Sequence, residues 1–151
     1  MEGIIIVDHG SRRAASNEML LEAARQFAQH SDFGIVEPAH MELAEPSIAQ
    51  AYQRCVEQGA TRVIVFPYFL SPGRHWSQDI PKLTAAAAAE HPNTTWLVTA
   101  PFGLHPRLSS VIGDRIAHCI EAVESGVGQC DVCDDQAGCR FFGKDADDLA
   151  V

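Results

Sequence analysis

Two short apolar runs constrain this chain more than any other feature of it. Ile4-Ile5-Ile6-Val7 and Val63-Ile64-Val65-Phe66 are apolar at every position. A strand with one wet face alternates apolar and polar residues. A strand apolar throughout is buried on both faces, as in a parallel sheet covered by helices. Each run ends in a segment that carries a histidine and an arginine. Asp8-His9-Gly10-Ser11-Arg12 follows the first, and Ser71-Pro72-Gly73-Arg74-His75 closes the second. Pro67 suits the end of a strand but not its middle, because it has no N–H to give the ladder. The carboxyl edge of an open α/β sheet is where ligands bind. An imidazole and a guanidinium are therefore delivered twice to the edge that binds ligands.

The remaining segments alternate in the way such a sheet requires. Residues 15–30 place Met19, Leu20, Ala23, Ala24 and Phe27 at helical spacing, with Ser16 or Asn17 as a cap. Residues 34–43 form a shorter strand whose internal Pro38 favours an edge position. Residues 46–58 predict a helix with Pro46 in its first turn and Gly59 as its stop. A third strand over 63–69 and a helix over 77–90 follow. A fourth strand over 94–99 and a last helix over 106–124 complete the series. The β-α repeat predicts an α/β three-layer sandwich, a four-stranded parallel sheet with helices on both faces. A flavodoxin-like strand order 2-1-3-4 would set strands 1 and 3 side by side. His9 and His75 would then face one crevice.

Composition narrows the function. The 151 residues suit one domain, and 46% of them are hydrophobic, enough for a real core. A net charge of −9 and a pI near 5.1 argue against nucleic acid as a partner. No apolar run approaches the ~20 residues of a membrane span. Met1-Glu2-Gly3 leads directly into the first strand, so no signal peptide is expected and a cytoplasmic location is. Of the 5 cysteines, Cys130, Cys133 and Cys139 crowd together near the end. That is not a disulfide framework, and a metal or redox role fits better. The expected division is a domain over 1–126 and a Cys-rich acidic tail over 127–151.

Two imidazoles across a cleft suit a borderline divalent metal, and they are the side chains best able to take protons near neutral pH. Either histidine alone could equally bond a loop carbonyl. His30, His40, His91, His105 and His118 are read as structural, and Cys55 as a small buried hydrophobe.

Three longer segments make the chain recognisable. Ile6-Val7-Asp8-His9-Gly10-Ser11-Arg12, Met41-Glu42-Leu43-Ala44-Glu45-Pro46-Ser47-Ile48 and Phe66-Pro67-Tyr68-Phe69-Leu70-Ser71-Pro72-Gly73-Arg74-His75 resemble the class II chelatases that act on sirohydrochlorin. Asp79-Ile80-Pro81 and Pro101-Phe102-Gly103-Leu104-His105-Pro106 are similar to that family too. The resemblance runs in order over about residues 3 to 124 and is to the short, single-domain members, which pair as homodimers. It implies ATP-independent insertion of a divalent metal, Fe²⁺ or Co²⁺, into a dianionic tetrapyrrole, sirohydrochlorin. His9 and His75 match the family's metal-binding and proton-accepting histidines, and Glu42 an acidic residue near them. Arg12 and Arg74, with Arg13 and Arg107, are candidates to pair with substrate carboxylates, since Arg forks onto a carboxylate. Tyr68, Phe69, Leu70 and Trp76 are candidates for an apolar wall against the macrocycle.

The tail departs from the short family pattern. Cys130-Asp131-Val132-Cys133 is a C-x-x-C pair, with Cys139 following. Thiolates so spaced can share a metal or cluster, but a closed site takes four ligands. Cys119, a residue of a partner chain, or nothing completes the set. The tail is similar to those of plant-type sirohydrochlorin ferrochelatases. That resemblance implies a 2Fe–2S cluster, favours iron as the inserted metal, and makes a plastid stroma the alternative location. Competing readings are a phosphoryl hydrolase with His9 as nucleophile, a non-enzymatic metal carrier or sensor, and a flavodoxin-like electron carrier. Asp8 stands where the hydrolase would place an Arg, and the first loop lacks the Ser/Thr/Gly run a flavin phosphate needs.

Overall fold

The β-branched runs become the two central strands. In the computed structural model, which describes residues 1–125 and Val132, β1 is Glu2–Asp8 and β3 is Arg62–Pro67. The edge strands are β2 (Ile35–His40) and β4 (Thr95–Val98). All pairs are parallel and the order is β2-β1-β3-β4. The expected order is thus observed, with β1 and β3 adjacent and Pro38 on an edge. The chain divides into two compact units, Met1–Gly103 with the whole sheet and a second from Leu104 onward.

Within the first unit the helices cover both faces. Side chains alternate across a strand. Ile5, Val7, Val63 and Val65 point to one side, against Ile48, Ala51, Tyr52 and Cys55 of α2 (Ile48–Glu57) and Ile80 and Ala87 of α3 (Ile80–Ala89). Ile4 and Ile6 point to the other, against Leu20 and Ala24 of α1 (Ala14–His30). Cys55 is fully buried, as expected of it, and burial with help from Glu37 pushes its thiol up to about 12. Gly3 makes this packing close: a Cβ there would stand 2.8 Å from the Cβ of Cys55. The second unit contains α4 (Arg107–Ser125), which leaves Val111, Ile112, Ile116 and Ile120 exposed.

Three local expectations are corrected. Neither Ser16 nor Asn17 caps α1, whose N-cap is Arg13 without a side-chain bond. Asn17 instead clamps the preceding loop, taking the Ser11 N–H on Oδ1 at 2.9 Å and donating Nδ2–H to the Ser11 carbonyl at 2.7 Å. Pro46 is not in the first turn of α2. It follows a cis Glu45–Pro46 bond, and Ser47 caps the helix in a reciprocal box with Gln50. The third helical segment starts at His75 rather than Ser77. His75–Asp79 form a π-helical turn continuous with α3, closed by the Ile80 N–H on the His75 carbonyl. Pro81 explains the widening, because it has no N–H for the Ser77 carbonyl and its ring crowds that oxygen.

Candidate active site

Parallel pairing aligns the carboxyl ends of β1, β2 and β3, and the backbone ladder runs past the strands. Beyond the Asp8–His40 pair, the Met41 N–H donates to the Asp8 carbonyl at 2.8 Å and the Glu42 N–H to the His9 carbonyl at 3.0 Å. Asp8 and His40 are therefore the last register pair, and the bond from the Glu42 N–H to the His9 carbonyl sets those two residues side by side beyond it. Gly10 makes the turn after them. Its φ is +88°, and a Cβ there would collide with the Glu42 carbonyl oxygen, so only glycine fits. Its N–H is held by Asp8 Oδ1 at 2.9 Å.

His9 and Glu42 also meet through their side chains. His9 Nε2 lies 2.9 Å from Glu42 Oε1, and His9 Nδ1 lies 3.1 Å from the Gly10 carbonyl oxygen. With an oxygen acceptor on either side, the ring can hold a hydrogen at both nitrogens at once. His75 arrives from β3 on the π-turn. Its ring centroid is 5.0 Å from that of His9, with the planes inclined at 68°. Four residues on, Asp79 Oδ2 accepts from His75 Nδ1 at 2.7 Å, which leaves Nε2 as the nitrogen for a metal. Both imidazoles are accessible, with side chains 41% and 51% exposed. Among the described residues no group of three or more His, Cys, Asp or Glu is arranged to hold a metal ion. The arrangement is therefore an open pair of imidazoles, each steadied by a carboxylate, with Glu42 occupying His9 Nε2.

The structure thus brings His9, His75 and Glu42 together. It moves His75 from a loop onto a helical turn, and it adds Asp79 as the partner of His75 Nδ1. The signal was there as His and Asp four residues apart, but a helix begun at Ser77 hides it. Arg12, Arg13 and Arg74 are exposed and make no ion pair among the described residues. Arg107 and His105 belong to the second unit. Phe69 stands by the site, its ring centroid 6.5 Å from that of His75. Leu70 is exposed, and Trp76 is half-buried with its indole N–H on the Thr99 carbonyl at 2.7 Å. Tyr68 turns to the α1 face. It stacks edge-on against Phe102 and lines a cavity of about 650 Å³ with Ile4, Ile6, Phe27 and Phe66. Cys119 lies exposed on α4, whereas Cys130, Cys133 and Cys139 lie outside the described residues.

Comparison with known proteins gives these contacts a context. The CbiX family profile matches residues 3–119. The chain is 54% identical over 141 residues to a chloroplastic sirohydrochlorin ferrochelatase of Arabidopsis thaliana, covering 93% of this chain and 63% of that protein. It is 43% identical over 91 residues to a sirohydrochlorin cobaltochelatase of Methanocaldococcus jannaschii, covering 60% of this chain and 64% of that protein. The chain thus spans less than two thirds of the length of these curated relatives. Among solved structures, SirB from Bacillus subtilis with Fe³⁺ superposes with a TM-score of 0.72 at 26% identity, over 83% of this chain and 48% of that one.

Proposed function

The chain belongs to the CbiX family, and from that premise we propose that it inserts a divalent metal, Fe²⁺ before Co²⁺, into sirohydrochlorin without ATP. The observation that carries the reading is the His9–His75 pair, 5.0 Å apart at the ends of β1 and β3, with Glu42 on one ring and Asp79 on the other. Metal insertion needs weak, exchangeable ligands beside the macrocycle, and the imidazole pair, with His75 Nε2 free and His9 Nε2 shared with Glu42, answers that need. It also needs a base. A divalent metal entering the ring displaces two pyrrole N–H protons, so charge balances when both reach protein groups or solvent. His9 takes such a proton at Nε2, and the Glu42 carboxylate 2.9 Å away accepts the resulting N–H. His75, aimed by Asp79, holds the metal through Nε2. Arg12 and Arg74 have their guanidinium groups uncommitted among the described residues, and they answer the substrate carboxylates. A carrier or sensor would bind metal stoichiometrically without turnover. The names borne by the relatives favour the chelatase.

His9→Ala and His75→Ala are the direct test. Each is expected to lower the insertion rate by at least about 100-fold, followed by the absorbance change of sirohydrochlorin, with the circular dichroism spectrum unchanged. Near-wild-type insertion in either variant rejects the assignment.

Assembly and the tail complete the proposal. Each unit leaves apolar surface exposed, the cavity under Tyr68 and Phe102 in the first and the Val111–Ile112–Ile116–Ile120 stripe in the second. A homodimer buries such surface and closes a cleft over a macrocycle. The thiols Cys130, Cys133 and Cys139, with Cys119 as fourth ligand, suit a 2Fe–2S cluster by number and type. The Arabidopsis relative is chloroplastic, and a plastid stroma or a cytoplasm is the proposed location. No described helix is long and apolar enough to cross a membrane.

A further inference from the structure

We propose that His40 is a positioning residue of this site and acts through Asp8, an inference that rests on the chelatase reading. His40 is the last residue of β2, fully buried, and sits opposite Asp8 in the sheet register. Its Nδ1 lies 2.6 Å from Asp8 Oδ1. A carboxylate only accepts, so Nδ1 carries the hydrogen. The other ring nitrogen, Nε2, is buried with no hydrogen-bond partner among the described residues. An orphaned buried polar atom opposes folding, and an apolar side chain would fill the same space without it. The imidazole thus has one hydrogen bond to set against that cost, the one to Asp8. The backbone N–H of His40 is already taken by the Pro46 carbonyl at 2.8 Å.

Asp8 Oδ1 is shared. The same oxygen holds the Gly10 N–H at 2.9 Å. Gly10 lies directly against the Glu42 carbonyl, and its own carbonyl takes His9 Nδ1. The chain of contacts runs from His40 to Asp8, from Asp8 to Gly10, and from Gly10 to His9 and Glu42. Only 23% of the Asp8 side chain is exposed, so water offers it little replacement for the His40 hydrogen. Without that bond the carboxylate is free to rotate, the Gly10 turn loosens, and His9 loses its aim at Glu42 and His75.

His40→Leu removes the donor and His40→Asn restores one near the place of Nδ1. Two readouts apply: hydrogen exchange of the Gly10 amide in metal-free protein, and kcat and KM for Co²⁺ insertion into sirohydrochlorin. In His40→Leu the Gly10 amide is expected to exchange at least about 10-fold faster, and kcat to fall about 10- to 100-fold with KM little changed. His40→Asn is expected to recover most of both. Wild-type Gly10 protection and kcat in His40→Leu would overturn the proposal. So would equal losses in both variants in step with their melting temperatures, because that marks a merely structural role. If the wild type shows no insertion, the chelatase reading fails, and Gly10 exchange alone then decides the His40–Asp8 link.

Discussion

His75 and Asp79 show how much a single carboxylate can decide. Asp79 Oδ2 holds Nδ1 at 2.7 Å and so fixes which nitrogen faces outward. Asp79→Ala is expected to weaken metal binding about 10- to 100-fold, read by titration with Co²⁺ and its visible absorption. Unchanged affinity would remove Asp79 from the site. Arg12→Ala and Arg74→Ala are expected to weaken sirohydrochlorin binding, with the difference from wild type fading at high salt, where exposed charges are screened. Affinity unchanged at low ionic strength would exclude them as carboxylate partners. At this scale His9, His75 and Glu42 were legible because each stands just past an apolar run or inside a distinctive segment. Asp79 and His40 were not. A partner reached across a helical turn or a sheet rung depends on where the element begins, and periodicity leaves such boundaries open by a residue or two. His40 also follows Pro38 and Ala39 in a strand, where nothing in its neighbours announces a buried imidazole.

The contact of α2 with β1 is the element that Gly3 and Cys55 decide together. Gly3→Ala would press a methyl group to 2.8 Å from the Cys55 Cβ, and overpacking of this kind costs about 1–3 kcal/mol. Chemical denaturation should record the loss, and the double variant Gly3→Ala/Cys55→Ala, which removes the Sγ 3.0 Å from the new methyl but keeps the Cβ, should recover only the part due to the sulfur. The same thiol makes the contact sensitive to alkali. Its pKa is raised from 9.0 to about 12, so the folded state keeps its proton where the unfolded chain releases it. The stability tied to that proton is complete below pH 9 and declines as pH rises toward 12, by up to about 1.4 kcal/mol per pH unit. Cys55→Ala should flatten the decline relative to wild type across that window. The central strands were legible because burial on both faces leaves an unbroken apolar run, and the strand order was legible by analogy with the flavodoxin-like arrangement. The π-turn was not, because its cause is Pro81, a residue that ordinarily reads as a simple helix start.

At the scale of the whole molecule, the cleft and the tail are expected to be separable. His9, Glu42 and His75 all belong to the Met1–Gly103 unit. Deleting residues 128–151 should leave insertion measurable and abolish any visible absorption of a cluster. A folded but wholly inactive truncation would place the tail inside the chemistry. Light scattering should return twice the 16.4 kDa of one chain, and a monomer would count against the homodimer. Pro38 bears on how two copies can meet. β2 is an edge strand, and proline is tolerated there because the missing N–H falls on the solvent side. An incoming strand finds no donor at that rung, so growth of the sheet from copy to copy stops at this margin. An end-on ribbon of sheets, which could lengthen without limit, is thereby blocked at this edge.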